Sequence, residues 1–233
     1  AVSEIGFEEP TPIQVSAIPM ILNDKDIVGQ AQTGTGKTAA FGIPLIEKGE
    51  RDKNPFALIL EPTRELAVQV AQEINMLGKY KKIRVLPIYG GKSIESQIKA
   101  LKKGVDIVVG TPGRIIDHIN RKTLSLSEIK VVVLDEADEM LNMGFIDDME
   151  TILKTTPSER QTLLFSATMP QPIMNIAKRY MKNPEKVRVN TKDVVVSKIK
   201  QVFYEVREED KINALSRLLD VEDPQLAIVF CHT

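Results

Sequence analysis

The sequence lacks several features that would place it among secreted, membrane or metal-binding proteins. Its one cysteine, Cys231, cannot form an internal disulfide, which favours a reducing, cytoplasmic setting. No apolar run approaches the roughly 18 residues of a membrane span, and no basic-then-apolar leader opens the chain, so we expect neither a membrane segment nor a secretion signal. The two histidines, His118 and His232, have no partners at metal-ligand spacing.

Net charge is also nearly absent. The 31 basic and 32 acidic side chains give a formal net charge of −1. Because nucleic-acid-binding domains are often strongly basic, any contact with nucleic acid has to come from local groups. The basic stretches 79–84, 99–103 and 178–179 most simply form solvated helix ends or faces.

What the chain does contain is a regular alternation of short apolar runs and helical segments. The apolar runs predict strands at Asp26–Gly29, Ala57–Leu60, Val85–Ile88, Asp106–Val109, Val131–Leu134, Thr162–Phe165 and Val187–Val189. Helical spacing predicts helices at Lys37–Lys48, Glu65–Leu77, Ile94–Lys103, Arg114–Arg121 and Ile173–Met181. We therefore predict a doubly wound α/β fold with a mostly parallel sheet, in which ligands lie beyond the carboxyl ends of the strands.

The pattern changes after Asn190. Residues 191–198 are polar and β-branched without a helical period, which indicates a linker. The segments that follow predict a strand, a helix and a buried strand at Gln201–Val206, Asp210–Leu219 and Leu226–Cys231. Such a unit is too small to close a core, so we expect residues 1–190 to form one domain and 199–233 the truncated start of a second.

The segment Ala31–Thr38 follows the first predicted strand and opens a helix, as a phosphate-binding P-loop does, with Ala31 where the common pattern has Gly. Glycines let backbone N–H groups converge on phosphate oxygens, and the helix N-terminus adds partial positive charge. Lys37 is placed to reach the β- and γ-phosphates, and Thr38 to offer a hydroxyl to Mg²⁺. A simple glycine-rich turn is the alternative. The expected nucleotide contacts are Gln32, Thr33, Gly34, Thr35, Gly36, Lys37 and Thr38.

A second signal is the aliphatic run Val131–Leu134, which leads directly into Asp135-Glu136-Ala137-Asp138. A P-loop enzyme needs a carboxylate here to hold Mg²⁺, and Asp135 fits that role. Hydrolysis also needs a base that orients and deprotonates water, for which Glu136 is the candidate. An exposed acidic loop is the alternative, but the P-loop upstream favours a catalytic set of Lys37, Asp135 and Glu136.

The segment Asp135–Asp138 resembles the motif that names the DEAD-box ATP-dependent RNA helicases. Other segments resemble further motifs of that family in the same order: Gly6–Gln14, Pro62–Ala67, Gly90-Gly91, Thr111–Arg114, Ser166–Thr168 and Ile228–Thr233. Together they cover nearly the whole chain, which makes the resemblance far more specific than any single motif. It implies a RecA-like ATP-binding domain followed by the start of a second one, with ATP and Mg²⁺ as cofactors and RNA as partner.

The resemblance also implies residue roles. Phe7, Thr11 and Gln14 would line the adenine pocket, and the Gln14 amide would favour ATP over GTP because it can accept from one adenine edge atom and donate to the next. The residues implied in RNA contact are Pro62, Thr63, Arg64, Gly90, Gly91, Thr111, Pro112, Gly113 and Arg114. Such groups suit phosphates and sugars, which implies little sequence preference. Taken singly, Pro62-Thr63 reads equally well as a helix N-cap and Gly90-Gly91 as a turn.

Asp138, Ser166 and Thr168 would couple the ATP site to the RNA surface, although Ser166 and Thr168 also fit a capping turn before Pro170. The family supplies its arginine fingers from late motifs of the second domain, so we expect these 233 residues alone to hydrolyse ATP weakly.

Two rival functions stay open at this point. A DNA helicase or translocase is disfavoured by the Asp-Glu-Ala-Asp motif together with the Gly6–Gln14 segment. An RNA-binding clamp with an inert ATP site is disfavoured by the intact Lys37, Asp135 and Glu136.

Overall fold

The structure is a computed structural model that describes residues 1–49, 54–189 and 202–231. The chain divides into two units, Ala1–Lys192 and Asp193–Thr233. No helix within the described ranges is both long enough and apolar enough to cross a bilayer.

The first unit is built on a seven-stranded sheet in which every pair of neighbouring strands is parallel. The strands are β1 (Ile27–Gln30), β2 (Ala57–Leu60), β3 (Val85–Ile88), β4 (Ile107–Gly110), β5 (Val131–Leu134), β6 (Gln161–Ser166) and β7 (Glu185–Arg188). Their order across the sheet is β3-β4-β2-β5-β6-β1-β7. The helices of this unit are α1 (Pro12–Leu22), α2 (Lys37–Lys48), α3 (Arg64–Leu77), α4 (Ile94–Lys102), α5 (Pro112–Asn120), α6 (Ala137–Asn142), α7 (Ile146–Thr155) and α8 (Gln171–Tyr180).

Both faces of the sheet are covered, which is why the central strands β2 and β5 are apolar at every position. In β5, Val131 and Val133 pack with α1, α2 and α3 on one face, whereas Val132 and Leu134 pack with α5 to α8 on the other. Burying both faces in this way requires consecutive apolar residues rather than alternation. The predicted doubly wound α/β fold is confirmed.

The predicted strands match the observed ones within one or two residues. The largest difference is at β7, predicted at Val187–Val189 and found at Glu185–Arg188. This strand lies at the edge of the sheet, and three of its four side chains are exposed, so a search for apolar runs detects only Val187. Helices α1, α6 and α7 are not among the predicted helices.

The second unit contains one α-helix among its described residues, α9 (Lys211–Glu222). It confirms the helix predicted at Asp210–Leu219. The strands predicted at Gln201–Val206 and Leu226–Cys231 are wrong for the described residues 202–206 and 226–231, where no strand is formed. A strand requires a neighbour to accept its hydrogen bonds, and these apolar segments pair with none that the structure describes. The predicted linker 191–198 lies outside the described residues, and the domain boundaries stay a prediction.

Candidate active site

The loops that carry the predicted motifs meet at one edge of the sheet. Because all strands are parallel, their carboxyl ends share that edge, and the strand order sorts the loops into two groups. The loops after β1, β5 and β6 carry Ala31–Thr38, Asp135–Asp138 and Ser166–Thr168. The loops after β2, β3 and β4 carry Pro62–Arg64, Gly90-Gly91 and Thr111–Arg114. The predicted nucleotide and RNA groups therefore adjoin where β5 pairs with β2.

The glycine-rich loop after β1 forms a cradle that ends on the N-terminus of α2. Gly34 and Gly36 have φ of +82° and +88°, a region that L-residues rarely adopt. A Cβ at Gly36 would lie 2.5 Å from Gln14 Nε2. The first N–H groups of α2 have no partner within the helix, so the loop and helix together suit an anion such as a phosphate.

Lys37, the first residue of α2, is buried against the carboxylates that follow β5. Its Nζ lies 2.7 Å from Glu136 Oε1 and 3.6 Å from Asp135 Oδ1. Thr33 Oγ1 also donates to Glu136 Oε1 at 2.7 Å. The structure thus brings the three predicted catalytic side chains into contact with one another and with the cradle.

The two carboxylates differ in their surroundings. Asp135 is 4% exposed, and burial raises its pKa to about 6 although Lys37 opposes the shift. Glu136 has φ +47° and ψ +47°, a left-handed conformation that is strained for a residue with a side chain. Strain of this kind is typical of functional sites, where surrounding contacts hold a side chain in one direction.

A third carboxyl group in this site, that of Glu61, is not among the residues predicted from the sequence. Glu61 follows β2 as Asp135 follows β5, and it lines the same cavity of about 250 Å³ as Lys37, Thr38 and Asp135. It is 1% exposed, and burial, together with Asp135 and Glu136, raises its pKa well above the ordinary value. The sequence contains a signal that could have identified it, since Glu61 directly follows the apolar run Ala57–Leu60 as Asp135 follows Val131–Leu134.

The residues expected around adenine lie beside the cradle. Gln14 Oε1 accepts from the Thr11 N–H at 3.0 Å, and Gln14 Nε2 donates to the Gly36 carbonyl at 3.1 Å. These two bonds use one acceptor position and one hydrogen of the amide, which leaves a second of each. Phe7 lines the same cavity as Thr33 and Gly36.

Asp138 is tied to the loop after β6. Its Oδ2 accepts from the Thr168 backbone N–H and the Thr168 hydroxyl, both at 2.8 Å. Ser166 Oγ accepts from the Asp138 backbone N–H at 3.1 Å. Burial alone would raise the pKa of Asp138, but the Ser166 and Thr168 contacts outweigh it and leave the pKa lowered. The Asp138 carboxylate is therefore held by both the backbone N–H and the hydroxyl of Thr168.

The second group of loops forms a shared surface. The Arg64 guanidinium lies 5.1 Å from the centre of the Tyr89 ring, and Arg114 Nη1 donates to the Lys92 carbonyl at 3.0 Å. Gly90 and Gly113 have open space at the position of a Cβ. Thr63 is the N-cap of α3, and its Oγ1 accepts from the Leu66 N–H at 3.2 Å, as the helix-cap alternative predicts. Exposed or half-buried polar groups and open glycine backbone thus converge here, while Pro62 and Pro112 are buried.

A buried polar network supports this surface from below. Gln97 donates to the Tyr89 carbonyl at 3.0 Å and lies 3.0 Å from His118 Nε2 and 3.4 Å from Arg114 Nη1. His118 is fully buried, and its Nδ1 lies 2.8 Å from the Thr123 hydroxyl. Sequence reasoning missed the network because its members lie on different elements and share no spacing.

A larger cavity, about 700 Å³, lies at the opposite edge of the sheet and holds none of the predicted residues. Two of its charged side chains, Lys182 and Glu159, pair with each other at 2.7 Å. The size of a cavity therefore does not identify the candidate active site in this fold, whereas the convergence of the motif residues does.

A parallel α/β sheet whose first strand leads into this cradle, with carboxylates after β5, defines a RecA-like P-loop domain. The profile of the DEAD/DEAH box helicase family matches residues 11–176, and the chain belongs to that family. The "DEAD-box ATP-dependent RNA helicase CshA" of Bacillus subtilis is 58% identical over the whole chain and 47% of its own length. The protein of the same name from Geobacillus kaustophilus is 59% identical over the whole chain and 50% of its own length.

Two solved structures have the same fold. A DEAD box protein from the hyperthermophile Methanococcus jannaschii has a TM-score of 0.80 and 52% identity, covering 94% of this chain and 59% of that one. A hypothetical ATP-dependent RNA helicase from Sulfolobus tokodaii has a TM-score of 0.76 and 42% identity, covering 81% of this chain and 55% of that one. The chain spans about half the length of the curated relatives it matches.

Proposed function

We propose that the protein containing this chain is an ATP-dependent RNA helicase, and that the first unit supplies its nucleotide site and part of its RNA surface. The observation that carries the proposal is the adjacency of the two loop groups along one sheet edge, with the boundary between β5 and β2. A change in the loops of the nucleotide site would then reach the loops of the RNA surface through the neighbouring strands β5 and β2. A cytoplasmic location belongs to the same proposal and is supported by the single, unpaired Cys231.

The residues of the cradle fit ATP with Mg²⁺. Backbone N–H groups of residues 32–38 and the N-terminus of α2 would hold the phosphates, while the Thr38 hydroxyl and Asp135 would hold the cation. Lys37 would exchange its carboxylate partners for the β- and γ-phosphates. When bound, Mg²⁺ supplies positive charge that neutralises the phosphate oxygens. The buried Asp135, with its raised pKa, supports this role because it gains from a cation partner.

Glu136 would act as the base that orients and deprotonates the attacking water. Its Oε1 is held by Lys37 and Thr33, both part of the cradle, so the carboxylate lies at the phosphate end of the site. Release of Lys37 to the phosphates would leave this oxygen available to water. General-base catalysis requires this proximity before any match of pKa.

Gln14 would select the base. Its remaining acceptor position and hydrogen suit the adenine edge, and Phe7 offers an apolar ring beside the same cavity. Guanine presents the opposite pattern of hydrogen-bond donor and acceptor at that edge, so ATP is expected to be favoured over GTP.

The RNA surface would read phosphates and sugars. Arg64 and Arg114 offer guanidinium groups, while Thr63, Thr111 and the exposed backbone at Gly90, Gly91 and Gly113 offer smaller donors. None of these groups is shaped to read base edges, which supports binding with little sequence preference. Contacts to the 2′-hydroxyl would distinguish RNA from DNA. Asp138 and Thr168, which bind each other among the loops of the nucleotide site, would couple that site to the RNA surface.

Nucleotide-dependent RNA retention by the full-length protein tests the proposal. We expect single-stranded RNA to be held more tightly with a non-hydrolysable ATP analogue than with ADP, because RNA and the ATP analogue are expected to favour the same state of the protein. The measurement is fluorescence anisotropy of labelled RNA, with DNA of the same sequence as the control. RNA affinity that does not depend on the nucleotide would contradict the proposal, and equal retention of DNA would favour a DNA helicase.

A further inference from the structure

We propose that Glu61 is a further residue of the cation site, where its carboxylate accepts hydrogen bonds from the hydration shell of Mg²⁺ held by Asp135. The inference rests on the proposed nucleotide function and extends it to a residue outside the motifs described above.

The sheet places Glu61 beside Asp135. Strands β2 and β5 are parallel neighbours, with Leu60 in register with Leu134, so Glu61 and Asp135 are the next pair along. The Asp135 N–H donates to the Leu60 carbonyl at 3.1 Å, which continues the ladder to that point. Paired positions on neighbouring strands lie about 5 Å apart and direct their side chains to the same face.

Glu61 is buried without a partner. Its side chain is 1% exposed, and within the described part of the chain neither Oε1 nor Oε2 has a hydrogen-bond partner. Buried polar groups nearly always have one, because an unpaired carboxylate in a low-dielectric interior is costly. Glu61 lines the cavity that also holds Lys37, Thr38 and Asp135, so its two oxygens belong to the site that would receive the cation.

The site has more carboxyl groups than cationic side chains, which favours binding of a divalent cation. Glu61, Asp135 and Glu136 are three carboxyl groups around one ammonium, and Lys37 pairs only with Asp135 and Glu136 among these three. Once Lys37 turns to the phosphates, the carboxylates need another cation. Within the described ranges no group of three or more His, Cys, Asp or Glu forms a direct metal cage. Mg²⁺ usually keeps several water molecules, so Glu61 is assigned to those waters rather than to the metal itself.

The test is Glu61→Gln in the full-length protein, since the amide keeps the shape of the side chain and removes its charge. Affinity for a fluorescent ADP is measured from chelator alone to millimolar Mg²⁺. We expect the Mg²⁺ concentration at half-maximal effect to rise about tenfold, as for other outer-shell partners of metals. Affinity in chelator is expected to stay unchanged. Glu65→Gln, an exposed carboxylate in the first turn of α3, is the matched control and should leave both values unchanged.

The outcomes separate this inference from the proposed function. If the wild-type protein shows no Mg²⁺-dependent nucleotide binding, the proposed function fails and Glu61 loses its assignment with it. If wild type and Glu61→Gln have the same Mg²⁺ midpoint, only the assignment of Glu61 is overturned. The melting temperature of Glu61→Gln should equal or exceed that of wild type, because a buried carboxyl is replaced by a neutral amide. If the melting temperature of Glu61→Gln is lower than that of wild type, Glu61→Ala replaces Glu61→Gln in the same Mg²⁺ titration, with the same two outcomes.

Discussion

Replacing Glu136 by Gln in the full-length protein is expected to lower steady-state ATP hydrolysis about 10²–10⁴-fold while ATP and RNA still bind together. The substitution keeps the size of the side chain and its contact with Thr33 Oγ1, but it removes the basicity needed to deprotonate water. Hydrolysis is measured as phosphate release, and binding as RNA retained with ATP. The variant should hold RNA in the ATP-bound state, since the step that releases it is blocked.

Two neighbours of Glu136 serve as comparisons. Asp135→Asn is expected to weaken Mg²⁺-dependent ATP binding, because Asp135 is assigned to the cation rather than to water. Glu139→Gln alters an exposed carboxylate on α6, the helix that Glu136 precedes as N-cap, and should leave both readouts unchanged. Hydrolysis by Glu136→Gln at the wild-type rate would remove Glu136 as the base, even though the family assignment would stand.

Replacing Lys37 by Ala is expected to weaken ATP binding about 10- to 100-fold, which corresponds to the loss of charge-assisted hydrogen bonds of about 1.5–3 kcal/mol. The fold should survive, because the side chain faces the cavity and the carboxylates rather than the apolar core. Affinity is measured by calorimetry with ATP and Mg²⁺.

Lys48→Ala is the matched control for Lys37→Ala. Lys48 lies in the last turn of the same helix, α2, about 16 Å along the helix axis from Lys37, and pairs with the exposed Asp24. It should bind ATP as wild type does. Unchanged affinity in Lys37→Ala would show that the loop after β1 does not hold phosphates.

The strands of this fold could be predicted closely because burial on both faces leaves a strong local signal. Val131–Leu134 and Ala57–Leu60 are fully apolar, and both are predicted without error. The edge strand β7 lacks that signal. Helix α1 was missed because apolar residues surround it almost evenly and Pro19 lies inside it, so neither a clear polar face nor an uninterrupted helical segment marks it.

The site was predictable where a motif is contiguous and hidden where it depends on pairing between strands. Lys37, Asp135 and Glu136 are found from two short segments. The position of Glu61 beside Asp135 depends on β2 being the neighbour of β5, although 70 or more residues separate the strands along the chain. The network of Gln97 and His118 likewise joins α4 to α5. No local pattern encodes the strand order, which is set by how whole elements pack.

The most direct test of the central claim is ATP hydrolysis by the full-length protein without nucleic acid, with single-stranded RNA, and with DNA of the same sequence. The arrangement of nucleotide and RNA loops along one sheet edge predicts that RNA raises the rate and that DNA does not match it. Equal rates in all three conditions would contradict the account, because they would show that the RNA surface does not act on the nucleotide site.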